Sequence, residues 1–367
     1  MENIKKIGLL TYHTPDNYGA VYQAFALQRY IQNTHKKKIE IIDFCTDKHI
    51  SAYNIFKRRS NNPIKNIILQ FLTLLKYPMF KDKKNKYKKF REKYLQISSN
   101  RYHTEEEFLQ HNNRYNIYIV GSDQVFNPNN EYLKAYYLGF PKNGCRKIAY
   151  APSFGISDFN ENITSKILPY LNDFDMLSCR EKQGAEYMSS ILGYKVKQVI
   201  DPVFLLEKEV WKKISIEPKE KKKYIFIYDL AGAEKLAEIA RKINKAKDFK
   251  IICASAQILK RYAGCDMRYD IGPCELLGYI KNAEYVVTDS FHGTSLSLIM
   301  RKKIITYIAL PHSASRITSI MESLGTTEQI VTDITNFDIN KIRFNKYDNK
   351  LFALVNESKE YIKESLI

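Results

Sequence analysis

The chain has 367 residues and a formal net charge of +18, with 58 Lys or Arg against 40 Asp or Glu. This length predicts two domains, and a hydrophobic content of 44% excludes general disorder. A charge this large is typical of proteins that meet an anionic partner, which can be nucleic acid, an acidic lipid surface or a phosphorylated substrate. No apolar run reaches the roughly 20 residues of a membrane-spanning helix. The first residues lack the apolar core of a signal peptide, so we expect none.

Six cysteines are spread along the chain, and none forms a C-x-x-C pair. A chain of this length does not need disulfides to stabilise its core, so we expect reduced thiols and a cytoplasmic protein. The His, Cys, Asp and Glu residues show no spacing typical of a zinc or calcium site. We therefore expect no metal site.

Apolar, β-branched runs alternate with helical patterns along the chain. This alternation predicts an α/β fold with parallel sheets that carry helices on both faces. The predicted strands are 4–12, 39–44, 115–121, 147–150, 176–179, 196–200, 224–228, 250–254, 285–288 and 303–308. The predicted helices are 19–33, 181–192, 233–245, 275–281, 293–300 and 313–324.

A polar, Lys-rich stretch at 206–222 predicts a linker between two domains. The N-terminal α/β domain would span 1–205 and the C-terminal α/β domain 223–340, followed by a helical tail at 341–367. We expect each domain to be a doubly wound, Rossmann-like sheet, with the two domains facing a cleft. Ligands in such sheets bind beyond the carboxyl ends of the strands.

The N-terminal domain is predicted to carry an insertion at 62–94. It joins an apolar stretch, Pro63–Met79, to the basic run Lys81–Lys93. One interpretation is peripheral contact with an anionic membrane surface. The other is a helix buried against the N-terminal domain with a solvated basic continuation, and we favour this second interpretation.

The most informative segment follows the predicted strand at 285–288, and it reads Asp289, Ser290, Phe291, His292, Gly293, Thr294 and Ser295. Gly293 permits a tight turn, and Thr294 or Ser295 can cap the helix that follows. The first N–H groups of a helix bind anions, and histidine titrates near neutral pH, which suits proton transfer. A lone histidine is more often structural, but this position at a strand's carboxyl end favours a catalytic His292. Asp289 is the candidate to orient it.

Two arginines are predicted to open helices, Arg180 after the strand at 176–179 and Arg316 in the helix at 313–324. A guanidinium in such a place binds a carboxylate or phosphate through two parallel hydrogen bonds. The alternatives are a packing contact or a pair with Glu181 for Arg180, and a solvated first-turn residue for Arg316.

Two polar turns of the N-terminal domain are expected to line the cleft. Their candidate residues are Asp16, Asn17, Tyr18, Gly19, Ser122, Asp123 and Gln124. Neither turn carries G-x-G-x-x-G or a P-loop Gly-Lys-Ser/Thr, so a dinucleotide or nucleoside-triphosphate fingerprint is absent. Ordinary turn chemistry is the alternative interpretation of both.

In their order and spacing, these segments resemble the polysaccharide pyruvyl transferase family. The resemblance is carried by Asp16–Ala20, Gln23–Gln28, Gly121–Phe126, Ser178–Glu181, Asp201–Val203, Asp289–Gly293 and Ser315–Arg316. It spans residues 4 to about 325 and leaves out the insertion and the tail.

The resemblance implies a fold like that of two-domain GT-B glycosyltransferases. It also implies phosphoenolpyruvate as donor, a sugar of a surface-polysaccharide precursor as acceptor, a pyruvate ketal as product and phosphate as leaving group, without a cofactor. The family ties a His and an Arg to phosphoenolpyruvate, and they map to His292 and Arg180. We expect Ser290, Gly293, Thr294, Ser295 and Arg316 to complete the phosphoenolpyruvate site. The residues of the two polar turns are expected to bind the acceptor, a glycan or lipid-linked oligosaccharide at the cytoplasmic face of the membrane.

Two alternatives stay open. The first is a GT-B glycosyltransferase that uses a nucleotide sugar. The second is a basic nucleic-acid-binding protein, suggested by the net charge and 27 Tyr. No known nucleic-acid-binding module is visible in the sequence, so we expect no nucleic-acid partner.

Overall fold

The structure is a computed structural model of the chain. It describes residues 6–47, 56, 60–110, 114–156, 158–245, 247–257, 259–308 and 311–367. Residues 4–5 of the first predicted strand lie outside the described residues.

The chain forms two compact units. Unit 1 comprises Met1–Ala52, Arg91–Leu206 and Asp348–Ile367, and unit 2 comprises Tyr53–Phe90 and Glu207–Tyr347. The chain therefore passes between the units four times. This corrects two predicted assignments, because most of the insertion belongs to unit 2 and the end of the chain returns to unit 1. The predicted cleft stays a prediction.

Unit 1 is built on a parallel sheet of five strands in the order β3-β2-β1-β4-β5. The strands are β1 (Lys6–Leu10), β2 (Lys38–Phe44), β3 (Ile97–Tyr102), β4 (Ile117–Gly121) and β5 (Arg146–Tyr150). In register, Ile7 of β1 lies beside Ile39 of β2 and Ile117 of β4. The sheet is therefore wound outward from β1 in both directions, and its topological switch point lies at the carboxyl ends of β1 and β4.

Two short strands extend this arrangement. Strands β6 (Ser178–Cys179) and β7 (Lys197–Gln198) pair in parallel, and a bridge joins Ile148 of β5 to Met176 just before β6. The segment after β6, which begins at Arg180, thus starts next to the carboxyl end of β5.

Unit 2 is built on a parallel sheet of six strands in the order β10-β9-β8-β11-β12-β13. The strands are β8 (Tyr224–Asp229), β9 (Lys250–Ser255), β10 (Asp266–Arg268), β11 (Tyr285–Thr288), β12 (Lys303–Tyr307) and β13 (Ile330–Val331). In register, Thr288 of β11 lies beside Tyr228 of β8. Because β8 and β11 are neighbours from which the chain proceeds in opposite directions, the switch point of unit 2 lies at their carboxyl ends.

Thirteen helices are described in addition to short 3-10 turns. They are α1 (Tyr18–His35), α2 (Pro63–Leu75), α3 (Tyr77–Tyr94), α4 (Glu105–Gln110), α5 (Leu133–Tyr136), α6 (Glu161–Leu171), α7 (Lys182–Leu192), α8 (Lys208–Ile214), α9 (Glu234–Asn244), α10 (Pro273–Asn282), α11 (Phe291–Ile299), α12 (Pro311–Leu324) and α13 (Asp348–Ser365). Helices and parallel strands alternate in both units, as the sequence predicts.

The cores explain why these segments form strands. In unit 2, Ile225 and Ile227 of β8 and Val287 of β11 are fully buried among the apolar side chains of α9. Strands covered on both faces are apolar almost throughout, which is the pattern of buried parallel sheets. Unit 1 has an aromatic core in which Phe126 stacks on Tyr137 with 4.3 Å between ring centroids.

Helix α13 packs on unit 1. The Tyr361 hydroxyl donates to the Ala149 carbonyl (2.9 Å), and the Ser358 hydroxyl accepts from the Ile200 amide (2.9 Å). Both side chains are buried. The last 20 residues are thus a part of the unit 1 core, although the sequence predicted only a helical tail.

Within the part of the chain that the structure describes, no helix is both long enough and apolar enough to cross a bilayer. Among the same residues, no group of three or more His, Cys, Asp or Glu side chains is arranged to hold a metal ion.

Candidate active site

The candidate catalytic segment, Asp289–His292, follows β11 and therefore lies at the switch point of unit 2. All four of its residues are buried, and the His292 side chain is 7% exposed. The imidazole contacts the Phe291 ring edge-on, with 5.1 Å between centroids. The partner segment of this site is Asp229–Ala233, which begins at the last residue of β8.

Asp289 connects these two segments. One carboxylate oxygen accepts from the Leu230 amide (2.7 Å) and the other from the Ala231 amide (2.8 Å). Burial raises the pKa of Asp289 by more than the two backbone hydrogen bonds lower it, so that the pKa is about 6. These contacts give Asp289 a clear role in positioning the loop after β8, whereas its proposed orientation of His292 stays a prediction.

Asp229, the last residue of β8, was not among the predicted site residues. It is fully buried, and its carboxylate accepts from the Gly232 amide (2.7 Å), the Ser255 hydroxyl (2.6 Å) and the Tyr262 hydroxyl (2.6 Å). Asp229 and Asp289 together fix the loop 230–233. An Asp that directly ends an apolar strand was the available signal, because such a position lies on the ligand-binding edge of the sheet.

Helix α11 begins two residues earlier than predicted. Its cap is Ser290, whose hydroxyl accepts from the Gly293 amide (3.3 Å), so the prediction of Thr294 or Ser295 as the cap is wrong. The Thr294 hydroxyl donates to the Ser290 carbonyl and the Ser295 hydroxyl to the Phe291 carbonyl, and both side chains are fully buried. Because α11 begins at Phe291, His292 lies in the first turn of the helix.

Gly293 is required by close packing at this helix start. A Cβ atom there would lie 2.7 Å from the Thr288 Oγ1 and 2.8 Å from the Tyr228 Cδ1. Real side chains do not approach this closely, so any larger residue would push α11 away from β8 and β11. Gly293 thus sets the distance between His292 and the sheet.

Arg316 lies in the second turn of α12, where its side chain is half-buried. It belongs to unit 2, like His292. Its role as a second cation for an anionic ligand stays a prediction.

The first polar turn of unit 1 leads from β1 into α1. Asn17 caps α1 by accepting from the Ala20 amide (3.3 Å), and Tyr18 and Gly19 are buried in its first turn. Asp16 is half-buried and accepts from the Arg91 guanidinium (2.9 Å). Of the four predicted residues, three build the start of the helix, and Asp16 is tied by an ion pair.

The second polar turn follows β4 and contains a strained backbone. Ser122 has φ 32° and Asp123 has φ 61°, a left-handed region that residues other than Gly seldom adopt. Both residues lie at the switch point of unit 1, where such strain is often part of a functional site. The Asp123 carboxylate accepts from the Gln124 amide (2.9 Å), and both side chains remain half-exposed, whereas Ser122 is fully buried.

Arg180 lies within a buried ionic cluster of unit 1. Its guanidinium donates to Asp201 (2.6 Å) and to Glu181 (3.2 Å), and Asp201 also accepts from the Ser122 hydroxyl (3.1 Å). Burial alone would lower the pKa of Arg180, but the surrounding carboxylates, which include Asp123, raise it above its ordinary value. The sequence predicted that Arg180 binds an anionic ligand, and in the structure its guanidinium is hydrogen-bonded to two carboxylates of the protein. The pair with Glu181 is one of the alternatives that the sequence leaves open, although it is buried and not on the surface. Asp201 was missed as a partner because it lies 21 residues further along the chain, after another strand.

Solved structures similar to this chain share its architecture. The UDP-GlcNAc 2-epimerase from Neisseria meningitidis, bound to UDP-GlcNAc, is 10% identical over 99% of each chain, with a TM-score of 0.50. The UDP-N-acetylglucosamine 2-epimerase from Rickettsia bellii is 11% identical over 99% of this chain and 95% of its own, also with a TM-score of 0.50. The likeness concerns the fold alone and confirms the predicted class, two doubly wound α/β domains of the GT-B-like kind.

Comparison with the sequences of curated proteins gives no significant match. The family model described as polysaccharide pyruvyl transferase matches residues 17–309, which is most of the chain. That range includes the turns after β4, β6 and β11 and the start of α1. The chain therefore belongs to the polysaccharide pyruvyl transferase family and is an enzyme of this kind.

Proposed function

We propose that the enzyme transfers the pyruvate unit of phosphoenolpyruvate onto two hydroxyls of one sugar in a surface-polysaccharide precursor, with release of phosphate. The observation that carries the proposal is the position of His292. It lies in the first turn of α11, at the switch point of unit 2, where a proton-transfer side chain and an anion-binding helix start come together.

The proposed chemistry has two steps. A first sugar hydroxyl adds to the enol carbon of phosphoenolpyruvate, while a proton is delivered to the methylene carbon, which becomes a methyl group. The proton of this first hydroxyl passes to the phosphate group of the donor, which later leaves with it. The second hydroxyl then forms the other C–O bond of the ketal as phosphate departs, and it gives up its proton to a base. We assign His292 as acid in the first step and as base in the second, a contribution of about 10²–10⁴-fold to the rate.

The donor carries a carboxylate and a phosphate, so it needs cations and N–H donors. We assign the phosphoenolpyruvate site to the start of α11, from Ser290 to Ser295, with Arg316 of the same unit as its arginine. The burial of the Thr294 and Ser295 hydroxyls, which bond to carbonyls of their own helix, supports a contribution from the backbone of this turn and not from these two side chains. For Arg180 of unit 1, the bonds to Asp201 and Glu181 support a role in holding the turn after β4 in place, and its contact with phosphoenolpyruvate stays a prediction.

We assign the acceptor sugar to the turns at the switch point of unit 1. The half-exposed carboxylate of Asp123 and amide of Gln124 are suited to accept and donate hydrogen bonds to sugar hydroxyls. Asp16 is the half-exposed residue of the other turn, and Asn17, Tyr18, Gly19 and Ser122 support these positions from within the fold. The acceptor would be a glycan or lipid-linked oligosaccharide at the cytoplasmic face of the membrane, and no cofactor or nucleic acid takes part.

The test is to incubate the protein with phosphoenolpyruvate and candidate oligosaccharide precursors and to follow phosphate release and acceptor mass together. The expected result is one phosphate released for each acceptor that gains the mass of pyruvate less water. His292→Ala is expected to lower this rate by about 10²–10⁴-fold without changing the melting temperature.

Ser319→Ala, on the half-buried side of α12, is the matched control and should keep the full rate. Acceptor modification that requires a nucleotide sugar and leaves phosphoenolpyruvate intact would refute the proposed reaction. A folded His292→Ala protein with the full rate would remove His292 from the mechanism.

A further inference from the structure

Helix α2 exposes its apolar side chains to solvent. Ile64, Ile67 and Phe71 are 70%, 66% and 59% exposed, and Leu75 is 64% exposed. Three further members of the same surface are at least 41% exposed, namely Ile68, Leu72 and Leu74. These seven residues, which we call the apolar stripe, recur at the three- and four-residue spacing of one helix face.

The opposite face of α2 is the one that meets the protein. Its centre is Thr73, which is 1% exposed, and Asn66 and Leu69 beside it are half-buried. A helix on the surface of a globular protein turns its apolar stripe inward and its polar face outward. In α2 the two faces are reversed, so the alternative of an apolar helix buried against the N-terminal domain is wrong.

The reversed orientation is fixed by the helix that follows. Helix α3 is attached to unit 2 through Phe80, which contacts the Tyr269 ring, and through Lys86, which pairs with Glu275 (3.1 Å). Between the helices, the Lys76 ammonium lies 3.8 Å from the centroid of the Tyr269 ring. An exposed apolar surface of this extent on an attached helix marks a binding surface for an apolar partner.

The charge around the apolar stripe indicates which partner this is. Between residues 57 and 93 the sequence has 13 Lys or Arg and two acidic residues, which is more than half of the net charge of +18. On α3, Lys81, Lys84 and Lys89 are exposed. The partner must therefore be apolar in its interior and anionic at its surface.

We propose that α2 lies in the interface of an anionic lipid bilayer, with the apolar stripe among the acyl chains and the lysines of α3 at the headgroups. With 13 residues, α2 is about 20 Å long, which is too short to span the roughly 30 Å hydrocarbon core. A second copy of the chain fits less well, because pairing two such segments would bring like charges together. This proposal does not depend on the reaction proposed above.

The test is sedimentation of the full-length protein with vesicles of phosphatidylglycerol and phosphatidylcholine, compared with phosphatidylcholine alone. We expect binding to the mixed vesicles that weakens with added salt. The variant Ile64→Gln, Ile67→Gln, Phe71→Gln and Leu75→Gln should lose at least 10-fold in vesicle affinity, while its melting temperature stays at that of the wild type.

The variant Lys81→Gln, Lys84→Gln and Lys89→Gln should lose about 100-fold in affinity for the mixed vesicles, which corresponds to about fivefold for each lysine. Its matched control is Lys219→Gln, Lys221→Gln and Lys222→Gln, which removes the same charge from exposed positions outside α2 and α3. Ile216→Gln with Phe352→Gln is the control for isolated exposed apolar side chains. Both controls should bind as the wild type does.

Two results would overturn the proposal. The first is equal vesicle binding by the wild type and the variant of the apolar stripe. The second is a dimer in lipid-free buffer, detected by light scattering, that the same variant converts to a monomer, because the occupant of the surface would then be a second copy of the chain.

Discussion

Two buried carboxylates shape the candidate catalytic site of unit 2. Asp229 and Asp289 both accept hydrogen bonds from backbone amides of the loop 230–233, and among the described residues neither carboxylate pairs with Lys or Arg. Asp229 also accepts from the Ser255 and Tyr262 hydroxyls, whereas Asp289 is bonded by backbone amides, and its burial favours the neutral form of the carboxyl group. The site thus contains a loop, 230–233, that is held by hydrogen bonds to both carboxylates, and a carboxyl group, that of Asp289, whose pKa is raised.

The raised pKa of Asp289 predicts a pH-dependent stability. The carboxyl group titrates at about 6 in the folded protein against 3.8 as its ordinary value. Between these values the folded protein holds a proton that the unfolded chain has lost, so stability from this group is full at low pH and falls as the pH rises. Relative to Asp289→Asn, the wild type should therefore lose up to about 3 kcal/mol of unfolding free energy between about pH 4 and 7.

Urea unfolding of both proteins across that pH range checks this expectation. Asp333→Asn is the control, since the bonds from Thr335 hold the pKa of the exposed Asp333 below its ordinary value, and no such fall is expected there. A difference between the wild type and Asp289→Asn that stays constant with pH would contradict the prediction.

The buried position of Arg180 predicts a large structural effect of its removal. Arg180→Met leaves Asp201 and Glu181 buried without their cation, which is expected to cost about 3–5 kcal/mol of stability. Lys182→Met is the matched control, because its ion pair with Glu186 is exposed and worth little. Urea unfolding measures both variants, and a loss below about 1 kcal/mol for Arg180→Met would show that the cluster does not need its arginine.

At the scale of elements, most of the strands that the sequence analysis found are buried, although both residues of the short β7 are exposed. Ten strands were predicted, and all ten segments pair as strands in one of the sheets. The three that it missed, β3, β10 and β13, lie at the edges. Edge strands are covered less completely, so their sequences lack a continuous apolar run; β3 reads Ile-Ser-Ser-Asn-Arg-Tyr.

Helix starts were harder to predict than helix existence. The sequence analysis predicted Thr294 or Ser295 as the cap of α11, and both Ser and Thr suit that position. In the structure the cap is Ser290, because Gly293 allows the first turn of α11 to lie close to β8 and β11. The close approach of Gly293 to Tyr228 of β8 joins residues 65 positions apart, so no local pattern contains it.

At the scale of the whole molecule, the chain ends where it began, in unit 1. A chain of residues 1–206 lacks the hydrogen bonds that Ser358 and Tyr361 make to Ile200 and Ala149. We expect it to melt at a lower temperature than unit 1 of the intact protein. Adding a peptide of residues 341–367 should raise the midpoint by about 4–8 °C, the equivalent of about 2 kcal/mol.

Thermal unfolding followed by circular dichroism measures this shift. The matched control is the same peptide with Ser358→Ala and Tyr361→Phe, which keeps most of its apolar surface but loses both hydrogen bonds. Equal midpoints with and without the unaltered peptide would show that α13 does not stabilise unit 1.

The sequence by itself determined the alternation of strands and helices, the fold class, the family and the turns at which the candidate residues lie. Apolar runs and turn residues are local properties that are read within a few residues, and the order of the motifs is read along the chain without knowledge of which segments pack together. Only the tertiary structure decided that α13 belongs to unit 1, that α2 turns its apolar stripe outward, and that Arg180 is buried between two carboxylates. Each of these depends on which distant surface a segment packs against, and the free energy of that packing is shared by residues that the sequence keeps far apart.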